Sequence, residues 1–348
     1  MEIQENIPLA PLTTLGVGGP ARFFLEALDE ATVRRGIEFA NERKLPLFVL
    51  GGGSNLVVSD AGFPGLVLKI AIAGIETHEN NGTVTFTAGA GEEWDKFVAF
   101  TVGKNCAGIE CLSGIPGSVG GTPVQNVGAY GQEVSQTILS TQALNLQDLK
   151  LHEISREQCG FEYRTSRFNT SERGQWIILR VSYELTPNGA PGIRYADLQK
   201  HFAGWSMPPT LHETRQAVRH IRARKAMLIQ PGDEDCKSAG SFFKNPVLSA
   251  EAYADVTKRA SARGFEVPSY PALDAQRKVS AAWLVEHSGF SKGFAMGRAS
   301  ISRKHALALV NRGDATAADI LALKDSIQQR VEEIWGIHLE PEPVMVGF

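Results

Sequence analysis

The chain has 348 residues, of which 43% are hydrophobic and 21% charged, so it is long enough for two or three domains and too apolar to be disordered. Its 35 basic and 38 acidic residues leave a net charge of −3, which argues against a general nucleic-acid-binding protein. No apolar run approaches the length of about 18 residues that a membrane span needs, and the first residues, MEIQENIPLAPLTT, lack the apolar core of a signal peptide. The four cysteines form no CxxC pair and indicate a reducing compartment.

Local patterns predict helices and strands along the whole chain. The predicted helices cover residues 31–43 and about 92–103, 210–225, 249–263, 279–288 and 317–335. The predicted strands cover 45–50, 56–59, 65–70, 74–79, 83–89, the region near 137–151, 176–185 and the C-terminal segment 338–348. Asn80-Asn81-Gly82 is typical of a hairpin, and Thr316 with Asp319 is typical of a capping box at the start of the last helix. The first part is strand-rich and the second richer in helix, so we predict an α+β fold with a boundary between 187 and 230.

Two glycine-rich segments interrupt the strand-rich part. The first is Gly51-Gly52-Gly53-Ser54-Asn55, and the second, 108–131, reads GIECLSGIPGSVGGTPVQNVGAYG. Backbone N–H groups reach a phosphate only where side chains are absent, and successive N–H groups near glycine form an anion-binding nest. A lone GGG fits a tight turn or a β-bulge equally well. The presence of a second glycine-rich loop, at 114–121, favours a diphosphate-binding site that is built from both loops.

A third segment, residues 89–94 (GAGEEW), follows a predicted strand and opens a predicted helix, as a Rossmann dinucleotide loop does. Trp94 occupies the place of the third glycine, and Glu92 and Glu93 stand where a pyrophosphate would lie. We therefore assign no dinucleotide to it, and the chain also lacks the GxxxxGK[ST] pattern of a P-loop.

Together the two glycine loops resemble the FAD-binding domain of the UDP-N-acetylenolpyruvoylglucosamine reductase family, flavoproteins of the vanillyl-alcohol-oxidase-like (PCMH) type. FEYRTSRF (161–168), SAGSFFKNP (238–246) and LEPEP (339–343) follow in the family's order, and IRYADL (193–198) is similar to the longer, type I subtype. The resemblance implies an FAD-binding region at 1–225, with a core at about 17–187 in two subdomains split near 65–70. It also implies a smaller α/β substrate-binding domain at 226–338 and a C-terminal strand at 339–348 that returns to the active site.

The resemblance implies that an enolpyruvyl ether on a UDP-sugar is reduced to a lactyl ether in peptidoglycan precursor synthesis, with FAD as cofactor and NADPH as co-substrate. The implied cofactor-binding residues are Gly51, Gly52, Gly53, Ser54, Asn55, Ile115, Pro116, Gly117, Ser118, Gly120, Gly121 and Gly128. Neither glycine loop contains a histidine, so we expect FAD to be bound non-covalently. We expect a cytoplasmic monomer that acts on small molecules, with no metal, nucleic-acid or membrane partner.

The resemblance implies three catalytic residues, Arg164, Ser241 and Glu342. Hydride addition leaves negative charge beside the substrate carboxylate, and an arginine fork can bind a carboxylate through two hydrogen bonds, although from the residues alone a solvated surface arginine is the more frequent case. Ser241 matches the proton donor; a serine in this role needs a neighbour that stabilises the alkoxide, and a turn or helix-cap serine is the alternative. Glu342 matches the third residue and is expected to be protonated when it acts, but the residues alone do not separate it from Glu340.

The substrate-binding residues that the resemblance implies are Tyr130, Tyr163, Tyr195, Lys225 and Asn245.

Two charged clusters accompany these residues. Arg215, Arg219 and Arg222 share one face of the helix before Lys225, either as a solvated face or as an anion-attracting rim. The acidic residues 233–235 are expected at a loop tip and not at a metal site.

Two other functions stay open. The first is an FAD-dependent alcohol or sugar oxidase of the same fold, and the second is a nucleotide-sugar-binding module without catalysis. The combination of Arg164, Ser241 and Glu342 favours the reductase, because an oxidase has no use for it.

Overall fold

The computed structural model describes residues 2–272 and 274–348; Met1, in the predicted FAD-binding region, and Leu273, in the predicted substrate-binding domain, lie outside the described residues. The chain forms two compact units. Unit 1 comprises the described residues up to Ile7, Ala21–Gly53 and Pro64–Arg224, and unit 2 comprises Pro8–Pro20, Ser54–Phe63 and Lys225–Phe348.

The strands are numbered in chain order. They are β1 Gln4–Pro8, β2 Pro20–Ala27, β3 Leu47–Leu50, β4 Leu56–Val58, β5 Phe63–Ile70, β6 Ile75–Asn80, β7 Thr83–Gly89, β8 Cys106–Ala107, β9 Gly128–Ala129, β10 Gln132–Glu133, β11 Ile138–Asn145, β12 Leu151–Ser155, β13 Trp176–Pro187, β14 Val247–Leu248, β15 Ser269–Pro271, β16 Arg277–Val279, β17 Ala295–Met296, β18 Ala299–Ile301, β19 Leu309–Asn311 and β20 Val344–Val346.

The helices are also numbered in chain order. The α-helices are α1 Glu30–Glu42, α2 Trp94–Gly103, α3 Ala196–His201, α4 Leu211–Arg224, α5 Ala250–Ser261, α6 Ala281–Glu286 and α7 Ala317–Trp335. Short 3₁₀ turns lie at Ala10–Leu12, Glu110–Leu112, Val119–Gly121 and Val134–Gln136. None of the helices in the described part of the chain is long and apolar enough to cross a membrane.

Unit 1 is built on two sheets. One has the strand order β1–β2–β5–β3, with β3 parallel to β5, and α1 contributes the buried side chains of Val33, Ile37 and Ala40 to its core. The other is antiparallel, with the order β12–β11–β13–β7–β6, and β8 pairs with β13. The predicted hairpin between β6 and β7 is confirmed, because Asn81 and Gly82 take the positive φ values of 40° and 92° that this tight turn needs.

Unit 2 packs around α7. The side chains of Ile320, Leu323, Ile327 and Val331 are fully buried along one face of this helix, as the apolar spacing predicts. Both hydrogen bonds of the predicted capping box at Thr316 are present, and Gly336 ends the helix with a φ of 70°. These local signals therefore predicted the start and the end of the helix.

The C-terminal strand is shorter than predicted. Only β20 is a strand, and it pairs in parallel with β4. The preceding residues contain Pro341 and Pro343, which have no backbone N–H to donate to a ladder, and Pro341 forms only an isolated bridge with Phe243. The prediction of a strand over the whole of 338–348 was wrong for this reason.

The acidic residues 233–235 lie in a loop, as predicted, but the prediction of a loop tip was wrong for Asp235, which is buried. All three carboxylates bind basic side chains of unit 2. The pairs are Asp233 with Lys304 at 2.7 Å, Glu234 with Arg303 at 3.2 Å and Asp235 with Arg312 at 2.9 Å. Asp235 is only 3% exposed and also accepts a hydrogen bond from Ser302 Oγ. Burial alone would raise the pKa of Asp235, but these hydrogen bonds outweigh it and lower the pKa.

Replacing Asp235 with Asn is expected to lower the free energy of unfolding by about 2 kcal/mol at pH 7, because Arg312 would keep its charge without a carboxylate partner. A carboxylate whose pKa is lowered by folding contributes stability above its unfolded pKa of about 3.9, and this contribution is lost as the pH falls through the folded value. The difference between the wild type and Asp235→Asn in denaturant unfolding should therefore shrink below about pH 4.

The control is Asp325→Asn, since Asp325 is 66% exposed in its ion pair with Lys324 and should change the unfolding free energy by less than about 0.5 kcal/mol. Equal losses in the two variants at pH 7 would contradict the anchoring role of Asp235.

Candidate active site

The two glycine loops meet within unit 1. A β-carbon added to Gly52 would lie 2.4 Å from the Cα of Gly117 and 2.5 Å from its carbonyl carbon. A β-carbon on Gly51 would lie 2.8 Å from Ser118 Oγ. Gly117 itself has a φ of 126°, which side chains rarely adopt. The backbones therefore approach as closely as they do only because glycine occupies these positions.

The hydroxyl group of Ser118 lies buried at this meeting point. Ser118 is 7% exposed, and its Oγ has no hydrogen-bond partner among residues 2–272 and 274–348. A buried hydroxyl without a partner costs free energy and is uncommon in folded proteins. Its place between two glycine backbones suits a ligand that supplies oxygen atoms.

Residues 89–94, which we did not assign to a dinucleotide, support the second glycine loop. Their hydrogen bonds to the loop run from Trp94 N to Gly117 O at 3.1 Å, from Val119 N to Glu92 O at 2.9 Å and from Gly120 N to Ala90 O at 2.9 Å. The two glycines of this segment let its backbone pack closely against residues 71–72. A β-carbon on Gly89 would lie 2.3 Å from Ile72 O, and one on Gly91 would lie 2.4 Å from the carbonyl carbon of Ala71. The segment thus fixes a neighbouring loop by its backbone.

The arginine stripe on α4 has a structural role that neither sequence interpretation included. Arg215 binds Asp95 with two hydrogen bonds of 2.5 and 3.0 Å, and Arg219 binds the same carboxylate. Arg222 is 8% exposed, and its Nε donates to Gly114 O at 3.1 Å. Burial would raise the pKa of Asp95, but hydrogen bonds from Arg215 and from the Gly114 N–H outweigh this effect and lower the pKa.

Two of the predicted substrate-binding tyrosines lie together. The rings of Tyr130 and Tyr195 meet edge to face with centroids 5.4 Å apart. Tyr130 is buried and its side chain hydrogen-bonds Arg222, whereas Tyr195 is 44% exposed. The loop before Tyr195 is anchored by the fully buried Glu110, which accepts the Gly192 N–H at 2.8 Å.

Arg164 is presented by a turn with left-handed backbone. Its φ is 59°, an unfavourable value for a residue with a side chain, and its Nη2 donates to Gly128 O at 2.8 Å. Its guanidinium also lies 5.3 Å from the ring centre of Tyr163. Arg167, in contrast, is held by Glu172 through hydrogen bonds of 2.5 and 3.0 Å. This difference supports the choice of Arg164 over Arg167 as the functional arginine.

Ser241 in unit 2 lies beside a histidine that sequence analysis did not identify. Its Oγ is 3.4 Å from Nε2 of His305. Burial, followed by the charges of Lys225 and Lys292, lowers the pKa of His305 to about 4. The imidazole is therefore neutral at pH 7. No spacing rule joins residues so far apart in sequence, so only the fold reveals this pair.

The backbone of Glu342 is fixed on two sides. Its N–H donates to Phe242 O at 2.8 Å, and its carbonyl oxygen accepts Asn55 Nδ2 at 3.1 Å. Because Phe242 directly follows Ser241, this hydrogen bond places the backbone of Glu342 beside the residue next to Ser241. Glu340 has a side chain that is 71% exposed and 3.4 Å from Lys244. The surface location of Glu340 supports Glu342 as the carboxyl group of the site.

The remaining predicted residues divide between the units. Unit 1 contains Gly51, Gly52, Gly53, Ile115, Pro116, Gly117, Ser118, Gly120, Gly121, Gly128, Tyr130, Tyr163, Arg164 and Tyr195, and unit 2 contains Ser54, Asn55, Lys225, Ser241, Asn245 and Glu342. The side-chain oxygen of Asn245 accepts the Ala281 N–H at 2.9 Å and so also fixes the start of α6.

Two family models match the chain. The model described as "FAD binding domain" matches residues 21–154, and the model described as "UDP-N-acetylenolpyruvoylglucosamine reductase, C-terminal domain" matches residues 230–346. The predicted α+β fold with an FAD-binding domain is confirmed.

Known proteins are similar over nearly the whole chain. UDP-N-acetylenolpyruvoylglucosamine reductases of Thermobifida fusca and Streptomyces coelicolor are both 45% identical over 99% of this chain, covering 98% and 91% of their own lengths. The crystal structure of the reductase of that name from Thermus caldophilus is 26% identical, with a TM-score of 0.67 and 99% of each chain covered. The chain therefore belongs to the UDP-N-acetylenolpyruvoylglucosamine reductase family.

Proposed function

We propose that this chain reduces UDP-N-acetylglucosamine enolpyruvate to UDP-N-acetylmuramate, with NADPH as reductant and FAD as cofactor. The observation that carries the proposal is the close approach of Gly52 to Gly117 beside the buried Ser118 hydroxyl, within the region that matches an FAD-binding domain. The relatives that match almost the whole chain bear the name of this reductase.

The residues at the glycine loops fit a flavin dinucleotide. A diphosphate needs hydrogen-bond donors without side chains in the way, and glycines 51, 52 and 117 provide such backbone. Ser118 Oγ adds a donor without a partner in the described chain. We assign the cofactor-binding role to both loops, with Ser54 and Asn55 following the first. Bound FAD supplies the hydride chemistry of the reduction.

Arg164 stabilises the charge that develops on the substrate. Hydride addition to the enolpyruvyl methylene carbon leaves negative charge on the adjacent carbon, shared with the carboxylate. A guanidinium offers a planar fork of donors that matches the two oxygens of a carboxylate. The hydrogen bond from Arg164 to Gly128 O and the left-handed backbone of Arg164 fix the direction of this fork before substrate binds.

Ser241 donates the proton that completes the reduction. A serine hydroxyl is a weak acid, so its alkoxide needs a neighbouring donor. His305 is neutral, and the tautomer with hydrogen on Nε2 donates to Ser241 Oγ while the serine hydrogen points elsewhere. Glu342, held at Phe242 O, is assigned the third catalytic role as a protonated hydrogen-bond donor to the charged intermediate.

We assign substrate binding to Tyr130, Tyr163, Tyr195, Lys225 and Asn245. Tyr195 is 44% exposed and packs edge to face on the buried ring of Tyr130, and we assign Tyr195 and Lys225 to the UDP diphosphate and Tyr130 and Asn245 to the lining of the substrate pocket. Lys225 adds positive charge beside His305.

We assign residues 1–225 to the FAD-binding region, 226–338 to the substrate-binding domain and 339–348 to the returning C-terminal segment. The family-model matches at 21–154 and 230–346 support a boundary between the first two of these regions. We also propose the longer, type I subtype, a monomeric state and a cytoplasmic location, where UDP-sugar and NADPH are available. The net charge of −3 supports the absence of a nucleic-acid partner.

The oxidase alternative is less well supported. The C-terminal family model and the relatives that are 45% identical over nearly the whole chain belong to the reductase.

Replacing Ser241 with Ala is expected to slow reoxidation of the reduced enzyme by the enolpyruvyl UDP-sugar by about 100-fold or more, because the proton donor is lost. Reduction by NADPH needs no serine proton and should stay within about twofold of the wild type. Anaerobic stopped-flow absorbance measures both half-reactions. The control, Ser261→Ala, removes an exposed hydroxyl at the end of α5. Equal slowing of both half-reactions would refute the assignment.

Replacing Gly52 with Ala is expected to weaken FAD binding by roughly 10- to 100-fold, because the new methyl group would overlap the Gly117 backbone. Fluorescence quenching of FAD on titration with apoprotein measures the dissociation constant. Gly103→Ala is the matched control, since nothing lies within 4 Å of a β-carbon at that exposed helix end. The same affinity in both variants would contradict the pyrophosphate site.

Replacing Ser118 with Ala separates binding from folding. Removal of a buried hydroxyl without a partner should not lower the melting temperature of the apoprotein, yet FAD affinity should fall by about fivefold because one donor is lost. Differential scanning calorimetry and the FAD titration provide the two values. A destabilised apoprotein with unchanged FAD affinity would show that the hydroxyl has a purely structural role.

A further inference from the structure

The backbone of Gly114 is held by side chains at both of its polar groups. Its N–H donates to Asp95 Oδ1 at 2.5 Å, and its carbonyl oxygen accepts Arg222 Nε at 3.1 Å. Gly114 is buried and has a φ of 73°, so the chain turns sharply here. It is the first residue of the second glycine loop. The two hydrogen bonds hold the two successive peptide groups that meet at the Cα of Gly114, and together they fix the direction in which the loop begins.

The Asp95 carboxylate, which accepts the Gly114 N–H, is itself held in place by α4. It lies in the first turn of α2, where the helix dipole favours a negative charge. Arg215 binds it through both guanidinium nitrogens, with side chains only 14% and 20% exposed, and Arg219 binds the same carboxylate. A charge-assisted pair of this kind has one preferred geometry, so the acceptor for Gly114 N–H is rigid.

Arg222 contacts a second functional element. Its guanidinium is 8% exposed, and besides Gly114 it hydrogen-bonds the side chain of Tyr130, whose ring packs against Tyr195. One buried guanidinium therefore contacts both the loop assigned to the flavin pyrophosphate and the tyrosine assigned to the substrate.

We propose that Asp95 and Arg222 are positioning residues: together they preorganise the loop that binds the FAD pyrophosphate, and Arg222 also couples this loop to the substrate-binding Tyr130. The proposal rests on the proposed function, because it takes the loop as the pyrophosphate site. A loop that is already ordered pays less conformational entropy when its ligand binds, and this is how residues without contact to FAD can raise its affinity.

The first test is Asp95→Asn with FAD and riboflavin as probes. The variant should bind FAD about tenfold more weakly, because the ion pair and the charge-assisted acceptor are lost. Riboflavin has no pyrophosphate, so its affinity should change by less than about twofold. A general loss of structure would weaken both ligands and lower the melting temperature of the apoprotein.

The matched control is Glu93→Gln. Glu93 lies at the same end of α2, its side chain is 54% exposed, and it pairs with Lys96. The substitution removes one negative charge at the same helix terminus but leaves Gly114 untouched. FAD affinity should stay within about twofold of the wild type.

The second test is Arg222→Lys, which keeps the positive charge and leaves the Asp95 ion pair intact. It should weaken FAD binding and also raise the KM for the UDP-sugar, each by about tenfold, because a lysine cannot hold Gly114 O and Tyr130 in the fork geometry. Asp95→Asn should raise the dissociation constant of FAD without this change in KM. If Asp95→Asn does not fold, Arg222→Lys alone decides the proposal.

The outcomes are distinguishable. Wild-type protein that binds FAD, together with FAD affinities of Asp95→Asn and Arg222→Lys equal to that of Glu93→Gln, would overturn the positioning role and leave the proposed function intact. Equal weakening of FAD and riboflavin would also overturn it. Wild-type protein that takes up no FAD would overturn the proposed function and this inference with it.

Discussion

The close approach of two backbones, at Gly52 and Gly117, is the constraint on which the rest of the site depends. Any side chain at Gly52 would overlap the second loop, and the hydroxyl of Ser118 is enclosed beside this contact. Two segments more than 60 residues apart thus present peptide groups at one point. Backbone donors are suited to a diphosphate because they are rigid and need no charged side chain.

This contact is stable because a less conspicuous segment supports it. Residues 89–94 bind the second loop through three backbone hydrogen bonds, and Asp95 continues this support at Gly114. Residues 89–94, whose sequence is similar to a Rossmann dinucleotide loop, are therefore part of the scaffold that supports the second glycine loop. The same hydrogen-bond network extends through Arg222 to Tyr130, so the second glycine loop and Tyr130 share one buried guanidinium.

Local features were predictable from sequence, and long-range partners were not. The capping box at Thr316 and the turn at Asn81-Gly82 formed as expected, because both depend on residues within a few positions. The pairing of β4 with β20 joins distant parts of the chain and left no local signal. Periodicity likewise placed Arg215 and Arg222 on one helix face but could not show that Asp95 and Gly114 cover it.

The candidate site shows the same limit. Arg164, Ser241 and Glu342 could be proposed only through a family resemblance, since isolated arginine, serine and glutamate residues are usually surface or capping groups. His305, the neighbour that a serine donor requires, had no motif that pointed to it.

Competition between ADP and adenosine for the FAD site of the wild-type apoprotein tests the central claim most directly. The two ligands share the nucleoside and differ in the diphosphate. If the glycine loops bind the pyrophosphate, ADP makes several hydrogen bonds through its charged oxygens that adenosine cannot make. ADP should therefore displace FAD at concentrations at least about 100-fold lower than adenosine. Equal displacement by ADP and adenosine would contradict the account.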